Sequence, residues 1–263
     1  MQANGYDIDI NKVVDIARTA GNKILEIYNR ESSEHHLKAD NSPLTEADIL
    51  SNNLITQQLK KLTPNIPILS EESASISWQE RKTWQYYWLI DPLDGTKEFI
   101  KKNGEFTVNI ALINNHKPVL GVVYAPVLDE TWLGEKSKPA KKITNGNEVN
   151  IEVIPMSKSS PVRVVGSRSH AGDSLKEFLS ELNEYKLISM GSSIKLCLVA
   201  EGKADIYPRF GPTSEWDTAA AHAIVNASGG EVINANTKLE LKYNTKDSLL
   251  NPFFIVQSKS ISD

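Results

Sequence analysis

A single cysteine in 263 residues rules out an internal disulfide and suits a reducing compartment. That residue, Cys197, lies in the apolar stretch IKLCLVAEG, where a buried, inert thiol is expected rather than a nucleophile. Long apolar runs are missing as well, so no segment is expected to span a bilayer. The stretch MQANGYDIDINKVVDIARTAG carries Asp7, Asp9 and Asp15 and has no basic segment ahead of an apolar one, unlike a secretory signal. A cytoplasmic location is expected, with peripheral contact at the inner face of the membrane left open.

Basic clusters are also missing. The 29 Lys and Arg are dispersed among 33 Asp and Glu, for a net charge of −4, so no nucleic-acid polymer is expected as a partner. There is no G-x-x-x-x-G-K-[ST] phosphate loop, no H-E-x-x-H helix and no Asp-rich calcium loop, and the five His are too scattered for a zinc site. GSSIK and GSRSH lack the pattern of a nucleophile elbow.

What is present is an ordinary globular composition, 40% hydrophobic, enough for one large core or two modest lobes. Apolar residues at helical spacing over 11–29 predict an amphipathic helix with Asn11 as its cap. Residues 45–62 predict a second helix with Thr45 as N-cap and Asp48 at the N3 position of a capping box, stopped by Pro64. IPILSEES and YYWLIDP read as short buried strands that close on Glu71–Glu72 and on Asp91. FTVNIALINNHKPVLGVVYAP reads as two β segments about a polar turn at 114–117, and ETWLGE as a third.

Residues 137–160 are rich in Lys, Asn, Pro and Ser with weak periodicity, and mark the expected boundary between lobes. An N-terminal α+β lobe, 1–157, would carry most of the candidate site, and a C-terminal α/β lobe, 158–263, the rest. In the second lobe VRVVGSRSH predicts a strand and loop, DSLKEFLSELNEY a helix, and SIKLCLVAEGKADIYPRF a helix followed by a strand. EWDTAAAHAIVNASGG predicts a further helix, and EVINA the start of a terminal β unit. The alternation points to an α/β layered fold.

Three acidic sites share one pattern: Glu71, Asp91 with Asp94, and Asp217 each end an apolar segment or begin a helix. Lone buried carboxylates are costly, so such residues are paired or hold a metal. An oxygen-rich set suits Mg²⁺, and the Leu93 carbonyl between the two aspartates adds a neutral donor. In WLIDPLDGTKEFI, Pro92 stiffens the bend between Asp91 and Asp94, and Gly95-Thr96-Lys97 would open a short helix whose N–H groups can meet a phosphate. Plainer readings stand beside these. Asp94-Gly95 is a turn signal, Asp48 the acid of a capping box, Asp217 a helix cap, and Glu71-Glu72 a solvated strand end.

LSEES, DPLDGTKEF and WDTAAAHA, in that order, resemble the metal motifs of the inositol monophosphatase superfamily of Mg²⁺-dependent, lithium-sensitive phosphatases. KADNSPLTEAD, GVVYAPV, SRSH, CLVAEGKAD and YPRFGPTSEWDTAA resemble its bisphosphate-nucleotidase branch, which acts in sulfur metabolism. The resemblance implies the layered α-β-α-β-α sugar-phosphatase fold. It implies two or three Mg²⁺ held by Glu71, Asp91, Asp94, Asp217 and the Leu93 carbonyl. Asp48, Glu71 and Thr96 would serve the attacking water, and Gly95, Thr96 and Lys97 would lie against the substrate phosphate with Glu71, Asp94 and Asp217.

The implied substrate is adenosine 3',5'-bisphosphate, cleaved to AMP and phosphate, with its sulfated analogue as a second substrate. Lys195 and Arg209, then His170 and Ser192, are the candidates for its second phosphate. Two alternatives remain: an inositol monophosphatase or sugar bisphosphatase with the same metal core, and a non-catalytic Mg²⁺ or nucleotide sensor. A monomer or weak dimer is expected.

Overall fold

The computed structural model describes residues 1–30, 45–73, 75–155, 161–167 and 173–259. A small hairpin, β1 (Gln2–Ala3) and β2 (Tyr6–Asp7), precedes two long helices, α1 (Ile10–Tyr28) and α2 (Thr45–Leu62). Next come β3 (Ile68–Ser70), a 3₁₀ turn (Glu71–Ser73), α3 (Trp78–Arg81), β4 (Tyr86–Asp94) and α4 (Thr96–Ile100). A meander follows through β5 (Thr107–Asn114), β6 (Lys117–Ala125), β7 (Glu130–Glu135), β8 (Ala140–Thr144) and β9 (Asn147–Ile151). The rest is β10 (Val162–Ser167), α5 (Asp173–Ser180), β11 (Tyr185–Met190), α6 (Ile194–Ala200), β12 (Ile206–Arg209), α7 (Trp216–Ala227), β13 (Gly230–Asn234) and β14 (Phe254–Ser258).

Strands β3 to β9 form a seven-stranded sheet in sequence order, parallel only between β3 and β4. The second sheet has five strands in the order β11-β10-β12-β14-β13, with β10 parallel to both of its neighbours. Because side chains alternate along a strand, each sheet feeds two cores. Trp88 and Ile90 of β4 join Ile110 and Leu112 of β5 against Val13, Ala17, Ala20 and Ile24 of α1, with Ile55 and Leu59 of α2. Tyr87 and Leu89, one residue out of phase, face the opposite way and meet α6, α7 and the inner face of the second sheet at Val165, Tyr207 and Val256. Val164, Ile206 and Ile255 face outward against Leu175 and Leu179 of α5. The layers are therefore α, β, α, β, α, as the resemblance implies. Each fully buried large apolar side chain contributes about 1.5–3 kcal/mol to holding them.

Helix α7 lies against the seven-stranded sheet because both surfaces are small. Gly121 of β6 and Gly134 of β7 are cross-strand partners and form a notch. A Cβ on Gly121 would strike the Ala220 carbonyl oxygen, and one on Gly134 would lie 2.6 Å from Ile224 Cα. Ala220 of α7 fills the notch at Gly121, and Ala223 with Ile224 lies over Gly134.

Several elements differ from the sequence expectation. Asp9, not Asn11, caps α1, its side chain accepting from the Asn11 N–H at 3.0 Å. The weakly periodic 137–160 stretch contains the β8–β9 hairpin, whose outer strand is largely exposed and so lacks an apolar signal. The helix expected through Tyr185 ends at Ser180, because residues from Tyr185 on pair in parallel with β10 as an edge strand. Strand β4 continues past Asp91 to Asp94. The Thr45 side chain and the 38–44 stretch lie outside the described residues.

Candidate metal centre

In a regular strand, residues three apart point to opposite faces. Asp91 and Asp94 escape this through an irregularity in β4: Asp91 pairs with Asn109 and Asp94 with Thr107, so three steps on β4 oppose two on β5. The inserted residue turns both carboxylates to one side. Pro92 fits here because the pairing of β3 with β4 ends at Ser70 and Ile90, before a ladder N–H is needed. The Ser51 hydroxyl donates to the Pro92 carbonyl at 2.8 Å, fixing α2 on the irregular segment. Asp48 sits one turn earlier on that helix.

Asp217 reaches the same place from the first turn of α7, its Oδ2 accepting from the Ser214 N–H at 2.9 Å. Carboxylate oxygens of Asp91, Asp94 and Asp217 all lie within 4.8 Å of one another, an arrangement that could hold a metal ion. Asp91 is 1% exposed, and its Oδ1 accepts from the Leu93 N–H at 3.1 Å. Glu71, in the 3₁₀ turn after β3, keeps part of its surface in solvent and lies beside Asp91 and Trp216.

The electrostatics are adverse. Burial, then repulsion from Asp94, Glu71, Asp217 and Asp48, holds the Asp91 carboxyl well above its usual range. Asp217 is pushed up to about 8 by burial and Asp94. Asp48 also rises to about 8 through burial and Glu72, and Glu71 to about 7 through burial and Asp94. Asp48 is 1% exposed, and its Oδ1 finds no hydrogen-bond partner among the described residues. Carboxylates that repel one another, one with an orphaned oxygen, fit a divalent cation, whose charge favours the ionised forms. An all-oxygen donor set suits a hard ion.

The other expected residues fall around this cradle. Gly95 adopts φ +99, and a Cβ there would lie 3.0 Å from the Glu105 carbonyl oxygen, so the tight entry to α4 needs glycine. Thr96 opens α4, half-buried, with Lys97 exposed beside it. The Leu93 side chain packs on the α1–α2 side of the sheet. Lys195 on α6 is buried rather than a surface cation, and its Nζ donates to the Ser192 carbonyl at 2.6 Å. Burial brings its pKa down to about 8, with Asp94 opposing that fall and Arg209 adding to it. Arg209, at the end of β12, donates to Thr213 Oγ1 and the Pro212 carbonyl, each at 2.8 Å, and interacts electrostatically with Asp217. His170 lies outside the described residues.

Sequence reasoning missed Asn109 and Ser193, which both bond Asp94 Oδ2. Asn109 had a signal, a polar residue two places from Thr107 in an otherwise apolar strand. Ser193, directly ahead of an apolar helix, looks like an ordinary cap.

The family model described as the inositol monophosphatase family matches residues 8–260, and the chain belongs to that family. Enzymes of this family use metal ions, and the acid cluster fits that use. Among individual relatives, the chain is 51% identical over 248 residues to the 3'(2'),5'-bisphosphate nucleotidase CysQ of Salmonella typhimurium, covering 94% of this chain and 98% of that protein. The crystal structure of CysQ from Bacteroides thetaiotaomicron superposes with a TM-score of 0.84 at 44% identity, covering 95% of this chain and 97% of that one. An inositol monophosphatase from Anabaena superposes at 0.72 with 25% identity, over 95% of this chain and 90% of that one.

Proposed function

We propose that the chain is a Mg²⁺-dependent 3'(2'),5'-bisphosphate nucleotidase that removes the 3'-phosphate of adenosine 3',5'-bisphosphate and also accepts its sulfated analogue. The reading is supported by about half identity over nearly full length to the CysQ nucleotidases. The observation that carries it is a buried lysine, Lys195, beside an acid cradle, with Arg209 close enough to bear on both. A phosphate monoester without a second anionic group would have no need of this pair.

Glu71, Asp91, Asp94, Asp217 and the Leu93 carbonyl would hold two or three Mg²⁺. Bound there, the ions supply positive charge that offsets the phosphate dianion and makes a bound water more acidic. The chain's own residues do the rest. Asp91 and Asp217, largely removed from solvent, maintain a pocket of low dielectric in which charge interactions are strong. Thr96, at the start of α4, orients the attacking water, and Asp48, across on α2, accepts its proton. Lys195 and Arg209 bind the 5'-phosphate, so the ester to be cut lies over the carboxylates. The water oxygen bonds to phosphorus as the 3' oxygen leaves and takes up a proton.

Comparing kcat/KM in Mg²⁺ for adenosine 3',5'-bisphosphate and inositol 1-phosphate tests the proposal. A strong preference for the bisphosphate is expected, and a preference for inositol 1-phosphate would overturn it.

A further inference from the structure

Ser193 occupies the N-cap position of α6, where a serine ordinarily turns its hydroxyl back onto its own helix. Here the side chain makes no cap bond. Its Oγ lies 2.8 Å from Asp94 Oδ2 and 2.5 Å from the Asp217 main-chain carbonyl, and accepts from Asn109 Nδ2 at 2.8 Å. Its N–H also donates to Asp94 Oδ2, at 2.6 Å. The same oxygen takes longer bonds from Asn109 Nδ2 at 3.4 Å and Thr107 Oγ1 at 3.5 Å. Ser193 is 1% exposed and Asn109 fully buried, so water does not compete for these bonds.

Two consequences follow from the donor count. A hydroxyl has one proton, so with Asn109 donating to Ser193 Oγ that proton serves either Asp94 Oδ2 or the Asp217 carbonyl, while the Ser193 N–H holds Asp94 independently. Several donors on Oδ2 fix the rotation of the Asp94 carboxylate and leave Oδ1 for a ligand. Asp94 belongs to the seven-stranded sheet and Asp217 to α7, and Ser193 touches both while starting a third element.

We propose that Ser193 is a positioning residue for the metal centre, holding Asp94 by one oxygen and the first turn of α7 by its carbonyl so that the two ligands keep a fixed separation. This rests on the reading of Asp94 and Asp217 as ligands. The 190–193 turn is itself braced: the Gly191 N–H donates to Glu105 Oε2 at 2.8 Å, and a Cβ on Gly191 would lie 2.7 Å from the Glu105 carbonyl oxygen. Ser193 thus meets Asp94 and Asp217 from a turn tied through Gly191 to Glu105.

The test is calorimetric titration of metal-free protein with Mg²⁺, for the wild type and Ser193→Ala, alongside urea unfolding of both. Ser193→Ala should bind Mg²⁺ about tenfold or more weakly in the folded protein, the range seen when a partner of a metal ligand is removed. Affinity within twofold of wild type, with or without a lower unfolding midpoint, overturns the positioning role and leaves Ser193 purely structural. A wild type that binds no Mg²⁺ would instead overturn the metal reading on which it rests.

Discussion

Asp94→Asn separates metal binding from folding. It removes one charge from a group in which Asp91, Glu71 and Asp217 already repel, while keeping an oxygen for the Ser193 N–H. Turnover should fall by more than about a hundredfold, since a lost ligand costs at least as much as a lost partner of one. The unfolding midpoint in metal-free buffer should be no lower than wild type. A fall in both would mean that Asp94 is structural. Lys195→Met keeps the buried stem and removes the ammonium. It should lower kcat/KM for adenosine 3',5'-bisphosphate at least about tenfold more than for a 3'-monophosphate, a modest demand for a charge-assisted contact. Equal losses on the two substrates would remove its assigned role.

His222 carries a prediction remote from the acids. It is fully buried, with Nδ1 2.9 Å from Tyr243 OH, which in turn donates to Thr218 Oγ1 at 3.2 Å. With the Tyr243 proton given to Thr218, Nδ1 donates to Tyr243, and Nε2 finds no partner among the described residues. A second proton would be stranded in the core, and burial brings the pKa down to about 4 from 6.5. Between those values the unfolded chain binds the proton and the native chain does not, so stability rises with pH through the window and is fully present above 6.5. The contribution lost at the acid end is of order 3 kcal/mol. Urea unfolding at pH 6.5 and pH 4.5 should show a smaller acid loss in His222→Phe than in wild type. Identical losses would mean that His222 contributes nothing to the pH dependence.

At the scale of elements, α7 brings Asp217 to β4, and two facing glycines let it approach. Gly121→Ala should push the helix off the sheet, costing about 1–3 kcal/mol in stability and weakening Mg²⁺ binding through Asp217. Denaturant midpoints and Mg²⁺ titration check this, and an unchanged affinity would mean that α7 moves without carrying Asp217. This scale also marks how far the sequence can be read. The α7 helix was visible from WDTAAAHAIV, but the reason for its alanines was not, because their partners lie about a hundred residues earlier. Asp91 and Asp94 are legible as a pair, and Pro92 suggests a stiffened bend between them. The alignment comes from an irregular pairing with β5, a tertiary fact that β4 alone does not carry. Strand β11 was missed because its residues are mostly exposed and it exists only through its parallel pairing with β10. Ser193 was passed over because a cap and a clamp look alike in sequence.

Over the whole molecule, two sheets share a core about α6 and α7, and the acid cluster collects residues from β4, the turn after β3, α2 and α7. No single element holds the site, so the arrangement exists only when the layers are assembled. The composition gave the class of molecule and the apolar periodicities most of the layers, while the acidic motifs marked the elements that converge. Among the described residues no helix is long and apolar enough to cross a membrane. The proposed chemistry depends on these distant carboxylates meeting around divalent ions. Anomalous diffraction from crystals soaked in Mn²⁺ tests it most directly. Anomalous density should lie among the carboxylates of Asp91, Asp94 and Asp217, whereas ordered Mn²⁺ elsewhere, with nothing among these three in an active protein, would contradict it.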